Sequence, residues 1–437
     1  MNQERKKKLV KYILPTVFSF CCTFLYVIVD GIFVGQGVGV DALGAVNIAI
    51  PFTILITALA TLMSIGGVTI TAIRLGRGDT EGANQAFLHA TTISLGIGIL
   101  LMLIGMLFSR QIAAISGAND TFLDLTATYI FYYSAFALPF VAGVILQGFV
   151  RNDGSPILVS IAVITGAVLN VFLDWLFVFP LQMGIKGAAI ASGLGQISGL
   201  AILLSHFIRK KGVLRFKRFS FSPALSKKIC KRGIPEMISQ FGTPVMTLCM
   251  NYILIERVGD LSVSVFSVLS YLTSFSIGIF IGISGGLQPL IGQSYGEKDE
   301  ESLRWYFRAG QLLALVSSVL TYVIFVLFAG PICSLFNPDP ELVEAATLAL
   351  PQFAWAFVII SQNLVISAYF YSTKRTGAAV LLALCRCFLF VIPCILLLPL
   401  VFGNGIIWYS LGISECLSLL VGVILLRWTE QYGIQFR

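Results

Sequence analysis

The chain has 437 residues, 57% of them hydrophobic and 11% charged, with a formal net charge of +8 and a mean hydropathy of +0.91. Soluble domains average about 25% charged residues, and apolar patches beyond a few hundred Å2 drive association. A soluble fold is therefore excluded, and the long apolar runs without alternating polarity predict membrane helices rather than an outer-membrane barrel.

Punctuation by charge, Gly and Pro predicts twelve spans, near 12–36, 42–73, 86–108, 122–150, 156–180, 184–208, 229–256, 261–294, 303–329, 341–371, 376–401 and 405–428. Several exceed the roughly 20 residues needed to cross a bilayer, so some must tilt or project. Arg5, Lys6, Lys7 and Lys8 run into the first span without a small-residue cleavage site, so that span is expected to be retained. With the N-terminus inside, the inner segments hold 25 Lys and Arg and the outer ones three, Arg110, Lys186 and Arg257. Both termini are thus expected in the cytoplasm. The basic charge reads as a topology signal, not as a nucleic-acid surface.

Residues 209–228 form a basic linker with Gly212 and Pro223. They divide the chain into an N-terminal lobe, 1–208, and a C-terminal lobe, 229–437, of six spans each. A shift of 220 superimposes the halves without a gap over about a hundred residues. Pro15 falls on Pro235, Ser64 on Ser284, Gly66 on Gly286, Phe87 on Phe307 and Phe108 on Phe328. A Gly-x-x-Asp-x-Glu pattern recurs at 76–81 and 296–301. An even number of spans per half makes the repeats parallel, related by an axis along the membrane normal. The expected fold is all-α and integral to the membrane, with twelve transmembrane helices in two six-helix bundles.

Two acids stand at bilayer depth. Asp30 lies inside the first span, and Asp174 lies in the fifth, four residues after Asn170 and on the same helix face. A carboxylate at the bilayer centre costs roughly 2.5–3.5 kcal/mol even on the lenient insertion scale, so the pair points to ion handling. Two neighbouring carboxyls titrate as a unit; the same oxygens, with an amide carbonyl and a hydroxyl, also suit a sodium ion.

The stretch Tyr26-Val-Ile-Val-Asp30-Gly-Ile-Phe-Val-Gly35, with Ala42-Leu-Gly-Ala-Val46 after it, resembles the first-helix motif of the multidrug and toxic compound extrusion (MATE) family. So do Leu169-Asn-Val-Phe-Leu-Asp174-Trp-Leu-Phe-Val-Phe179, the following Gly184-Ile-Lys-Gly-Ala-Ala-Ile-Ala-Ser192, and the Gly148-Phe-Val-Arg151-Asn-Asp-Gly154 turn. The resemblance is to the bacterial (DinF-like) branch with an acid on its first helix, and it implies a V-shaped pair of bundles. It implies a cation site built from Asp30, Asn170, Asp174 and Ser192, and a gating role for Pro15. The other bacterial branch uses carboxylates of the C-terminal lobe; here the tenth span reads Ile359-Ile-Ser-Gln-Asn363, without an acid.

Other polar residues are weighed more simply. Arg386 and Glu415 both come near the midplane of adjacent spans and are expected to pair. Tyr129 and Gln147 are candidates to line a substrate cavity. His89 and His206 read as interfacial, and the nine cysteines as small core residues. No P-loop, His-Glu-x-x-His or Gly-x-Ser-x-Gly occurs. The expectation is a non-enzymatic antiporter in a bacterial inner membrane, working as a monomer. It would export organic cations or amphipathic compounds against H+ or Na+, with no cofactor and no metal beyond that ion. A lipid or lipid-linked oligosaccharide flippase is the alternative, and a polytopic membrane enzyme the remotest reading.

Overall fold

A computed structural model of the protein describes residues 2–217, 221–335 and 339–431; Arg218 and Arg437, counted above as inner charges, lie outside them. The described residues are almost entirely helical. The first half comprises α1 (Asn2–Gly37), α2 (Val40–Gly76), α3 (Thr80–Leu107), α4 (Ser109–Ile115), α5 (Asp120–Ala135), α6 (Ala137–Asn152), α7 (Pro156–Val178) and α8 (Gly184–Ile208). The second comprises α9 (Pro223–Ser239), α10 (Gly242–Arg257), α11 (Asp260–Glu297), α12 (Glu300–Leu327), α13 (Ala329–Ser334), α14 (Pro340–Ala354), α15 (Ala356–Ser372), α16 (Thr376–Leu384), α17 (Val391–Phe402) and α18 (Ser410–Gln431). A π-helical turn, Cys385–Leu389, joins α16 to α17, and a 3-10 turn, Asn404–Tyr409, leads into α18. Among the described residues, eleven segments are long and apolar enough to cross a membrane; a twelfth forms if α5 and α6, bent by 52°, count as one. The protein is thus a multi-pass membrane protein.

The sequence repeat reappears as repeated geometry. Asp79 caps α3 by accepting the Gly82 N–H at 2.8 Å, and Asp299 caps α12 by accepting that of Ser302 at 2.9 Å. These caps explain the Asp of the recurring Gly-x-x-Asp-x-Glu pattern, since a short acceptor side chain satisfies N–H groups that the first helical turn leaves open. Gly39 and Gly259, 220 residues apart, precede α2 and α11 at φ 119° and 111°, a region closed to most other residues. The Ser64 hydroxyl donates to the Val144 carbonyl at 3.3 Å, and that of Ser284 to Leu364 at 3.2 Å. The Phe87–Phe149 ring pair recurs as Phe307–Tyr369.

The packed units differ from the sequence halves. One contains Phe18–Met237; the other contains Met1–Val17 together with Ile238–Arg437. The chain therefore crosses between units just after Pro15 and, 220 residues later, just after Pro235. α1 continues unbroken through Pro15, whereas the corresponding segment breaks between Ser239 and Gly242.

The linker is anchored to the Phe18–Met237 unit. Asp153 accepts the N–H groups of Val213 at 2.9 Å and Leu214 at 3.2 Å, and its carboxylate meets His206 Nε2 at 2.9 Å. Asn84 brackets the same strand of chain, accepting from Arg215 N–H at 2.6 Å and donating to Val213 C=O at 3.3 Å. His89 Nδ1 donates to Gln85 C=O at 2.7 Å, which leaves Nε2 to accept the Ser222 N–H at 2.8 Å. Both histidines are buried at the linker ends of their helices, beneath the folded linker.

Candidate functional site

Two parallel helices build the acid site. α1 and α7 touch at Ser19 and Ser160, whose hydroxyls lie 2.8 Å apart, and again at Phe33 and Phe179, whose rings meet edge to face at 5.6 Å. Near the far end Gly37 faces Val178 so closely that a Cβ would lie 2.2 Å from Val178 Cγ1. Between these contacts the carboxyl groups of Asp30 and Asp174 come within hydrogen-bonding range of each other. Asp174 is fully buried and Asp30 partly so.

Asn170, one turn below Asp174, lies within reach of that carboxyl, and one of its two amide N–H groups donates to Ser192 Oγ on α8 at 3.2 Å. Asp30 Oδ1, both Asp174 oxygens and Asn170 Oδ1 are buried without a donor. Two ionised carboxylates offer only acceptors to each other. A buried acceptor left without a donor costs about 1–3 kcal/mol, more for a charged group. The arrangement is satisfied when a proton or a small cation enters it. Among the described residues, no Lys, Arg or His forms an ion pair with either acid.

Three tyrosines lie close to the acids. Tyr129 interacts electrostatically with both acids, and so does Tyr26, one helical turn before Asp30; Tyr133 interacts with Asp30 and stacks on Tyr129 at 5.7 Å. Tyr26 and Tyr133 were not singled out from the sequence, although their i−4 and i+4 spacing from Asp30 and Tyr129 carried the signal. Gln147 is half-buried on α6. Pro15 lies four turns before Asp30, at the crossing between units.

The second half does not duplicate this site. At the same offset Met250 answers to Asp30, and Phe390 and Cys394 answer to Asn170 and Asp174; their next residues, Val391 and Ile395, are also apolar. Gly412 stands where Ser192 would, against the Trp355 ring. The second half instead holds Glu415, 5% exposed, between Arg386 and Asn363. Arg386 Nε and Nη2 donate to its carboxylate at 3.0 and 3.2 Å, and Asn363 Nδ2 donates to Oε2 at 2.6 Å and to the Glu415 carbonyl at 3.0 Å. The positions corresponding to Asn363, Arg386 and Glu415 are Gly143, Gly166 and Gly195. Gly166 and Gly195 bring α7 and α8 together so closely that a Cβ on either would lie 2.7–2.8 Å from the other's carbonyl oxygen. One acid centre thus carries its own cation, and the other does not.

The MatE family model matches residues 15–176 and again residues 235–397. The chain belongs to the MatE family. The two matches begin 220 residues apart, the spacing of the repeat. Among curated relatives, the multidrug export protein MepA of Staphylococcus haemolyticus (strain JCSC1435) is 26% identical over 417 residues, covering 94% of this chain and 90% of that protein. MepA of Staphylococcus aureus (strain MSSA476) is 23% identical over 425 residues, covering 96% and 93%. Among solved structures, a MATE in complex with MaL6 superposes with a TM-score of 0.92 at 24% identity, covering 97% of this chain and 96% of that one. An outward-facing multidrug resistance MATE family transporter of the MOP superfamily gives 0.92 at 23% identity, covering 97% and 95%. These structural likenesses show that the chain has the fold of MATE transporters.

Proposed function

We propose that the chain is a secondary antiporter that exports organic cations or other amphipathic compounds in exchange for H+ or Na+ by alternating access. The observation that carries this reading is the Asp30–Asp174 pair, two carboxyls brought together with no fixed cation. A permanent structural acid would resemble Glu415, which has Arg386. A site that must be filled and emptied in each cycle needs an exchangeable counter-ion. Asp30, Asn170, Asp174 and Ser192 form the coupling site, and Tyr129, with Tyr26 and Tyr133, links it to the cargo cavity. Family membership and the multidrug export relatives support the cargo class. The Lys and Arg asymmetry supports cytoplasmic termini in a bacterial inner membrane.

Protonation or metallation of the pair removes repulsion between α1 and α7 and lets them close. Closure weakens the hold on a cationic cargo, and reciprocity requires cargo to weaken ion binding equally. The flippase reading finds less support, because Arg386, the cation identified inside a span, is bound to Glu415 and not free for an anionic headgroup. The test is efflux of a fluorescent organic cation from proteoliposomes under separately imposed proton and sodium gradients. One gradient should drive efflux in the wild type and neither should in Asp30→Asn; wild-type efflux in a well-folded Asp30→Asn protein rejects the assignment.

A further inference from the structure

Beyond the acid pair, toward the membrane face opposite the N-terminus, both helices change character in the same way. One turn past Asp30 stands Val34, and one turn past Asp174 stands Val178. In an α-helix, residues i and i+4 share a face, so each valine sits about 6 Å outward of an acid on the acid's own side of the helix. Each is 2% exposed, and both belong to one apolar cluster with Phe52, Ile56 and Ile185. Gly37, two turns past Asp30, lets Val178 close against α1: a Cβ there would meet Val178 Cγ1 at 2.2 Å and the Phe179 ring at 3.1 Å.

Directly outside this layer the wall opens into a recess of about 400 Å3. Val178 and Gly37 form part of its lining, and the exposed Gln36 and Gln182 supply carboxamides. The backbone turn that carries Gln182 past the end of α7 is closed on both sides of it, Met183 N–H donating to Phe177 C=O at 2.8 Å and Leu181 N–H to Leu176 C=O at 3.1 Å. From outside inward, the order along α1 and α7 is therefore an open recess with two exposed carboxamides, a buried valine layer, and the acid pair.

We propose that this recess is the mouth through which the coupling cation enters from the face opposite the N-terminus, and that Val34 and Val178 are the gate between mouth and acids. The inference rests on the antiport reading above. Gln36 and Gln182 accept hydrogen bonds from the ion's water shell or coordinate the ion itself, and the cation must shed water to pass the valines. A dry apolar constriction blocks a hydrated ion without obstructing the backbone. The layer opens when α1 moves relative to α7, which couples ion entry to the conformational cycle.

The experiment measures cargo-free cation entry into proteoliposomes, with a sodium arm (radioactive sodium uptake) and a proton arm (an internal pH dye). Val34→Thr combined with Val178→Thr keeps side-chain size and wets the layer. This double variant should leak the coupling ion at least tenfold faster than the wild type. Adding Asp30→Asn should abolish the leak, and the arm that responds identifies sodium or proton. Val141→Thr, equally buried in the same cluster but on α6, should not leak. An unchanged leak in a folded Val34→Thr, Val178→Thr protein overturns the gate, as does an equal leak from Val141→Thr. Either result leaves the antiport reading standing, which fails separately if Asp30→Asn retains coupled efflux.

Discussion

Arg386 holds Glu415 through two parallel hydrogen bonds, Nε to Oε2 at 3.0 Å and Nη2 to Oε1 at 3.2 Å. The guanidinium sits on the π-helical turn Cys385–Leu389, so one widened turn aims it at α18. Breaking a buried pair strands a charge and typically costs about 3–5 kcal/mol, whereas removing both partners is often close to neutral. Arg386→Met and Glu415→Gln are each expected to lower thermal stability by more than the double substitution does. Unfolding of the three purified variants and the wild type in one detergent checks this; strictly additive losses contradict the pairing.

At the corresponding positions of the first half, Gly195 and Gly166 make the opposite kind of contact. A Cβ at Gly195 meets the Gly166 carbonyl at 2.7 Å and Asn170 Cβ at 3.0 Å. Gly195→Ala must push α7 from α8 and is expected to cost about 1–3 kcal/mol. It should also weaken coupling, because Asn170 is the atom group displaced. Gly96→Ala, on α3 with nothing within 4 Å, is the control, and should be neutral or stabilising by up to about 1 kcal/mol. Equal melting temperatures for the two variants would contradict the close approach.

Asp153 ties the linker down through two backbone N–H groups and His206. Asp153→Ala leaves those buried donors unmet, at about 1–3 kcal/mol for each group that water cannot reach. Limited trypsinolysis should then cut after Lys210, Lys211 or Arg215 several-fold faster than in the wild type, while the helices stay intact. An unchanged cleavage rate means that the linker is held by other contacts.

Asp299 gives a pH-dependent case outside the spans. Burial pushes its carboxyl up, but hydrogen bonds from the Ser302 hydroxyl and N–H, and the nearby Arg5, outweigh that and hold it below the usual aspartate value. A depressed folded-state pKa adds stability that is present above the unfolded value, about 3.9, and is lost as pH falls through the folded one. Asp299→Ala should therefore lower the melting temperature at pH 7, a cap loss of about 0.5–2 kcal/mol, with the gap narrowing below about pH 4. A gap that stays constant with pH counts against the charged cap.

Much of this was legible in the chain because bilayer helices need long apolar runs and their ends carry charge, Gly or Pro. The spans, the repeat and the Arg386–Glu415 proximity follow from spacing along single helices. The breaks at Phe136 and Trp355 and the π-turn at Cys385 did not, since apolar composition continues straight through them. The exchange of α1's first residues between packed units was equally hidden: covalent order says nothing of which bundle Tyr12 and Ile13 pack on, and the partner, Gly286, is nearly three hundred residues away. In the acid site, Asp30, Asn170 and Asp174 stood out as polar groups in apolar runs. Tyr26 and Tyr133 did not, because tyrosine is an ordinary residue of membrane helices, enriched toward the interfaces, and only its neighbours give it a role.

The central claim is that the Asp30–Asp174 pair binds the coupling ion at the expense of cargo. The direct measurement is equilibrium binding of a fluorescent organic cation to the purified protein, titrated against pH at fixed sodium and against sodium at fixed pH. Cargo affinity should fall as one of the two ions rises, by about tenfold or more for a coupling of at least ~1.4 kcal/mol, and it should become independent of both ions in Asp30→Asn and Asp174→Asn. A wild-type affinity that ignores both ions, or an ion response that survives in the two variants, would contradict the account.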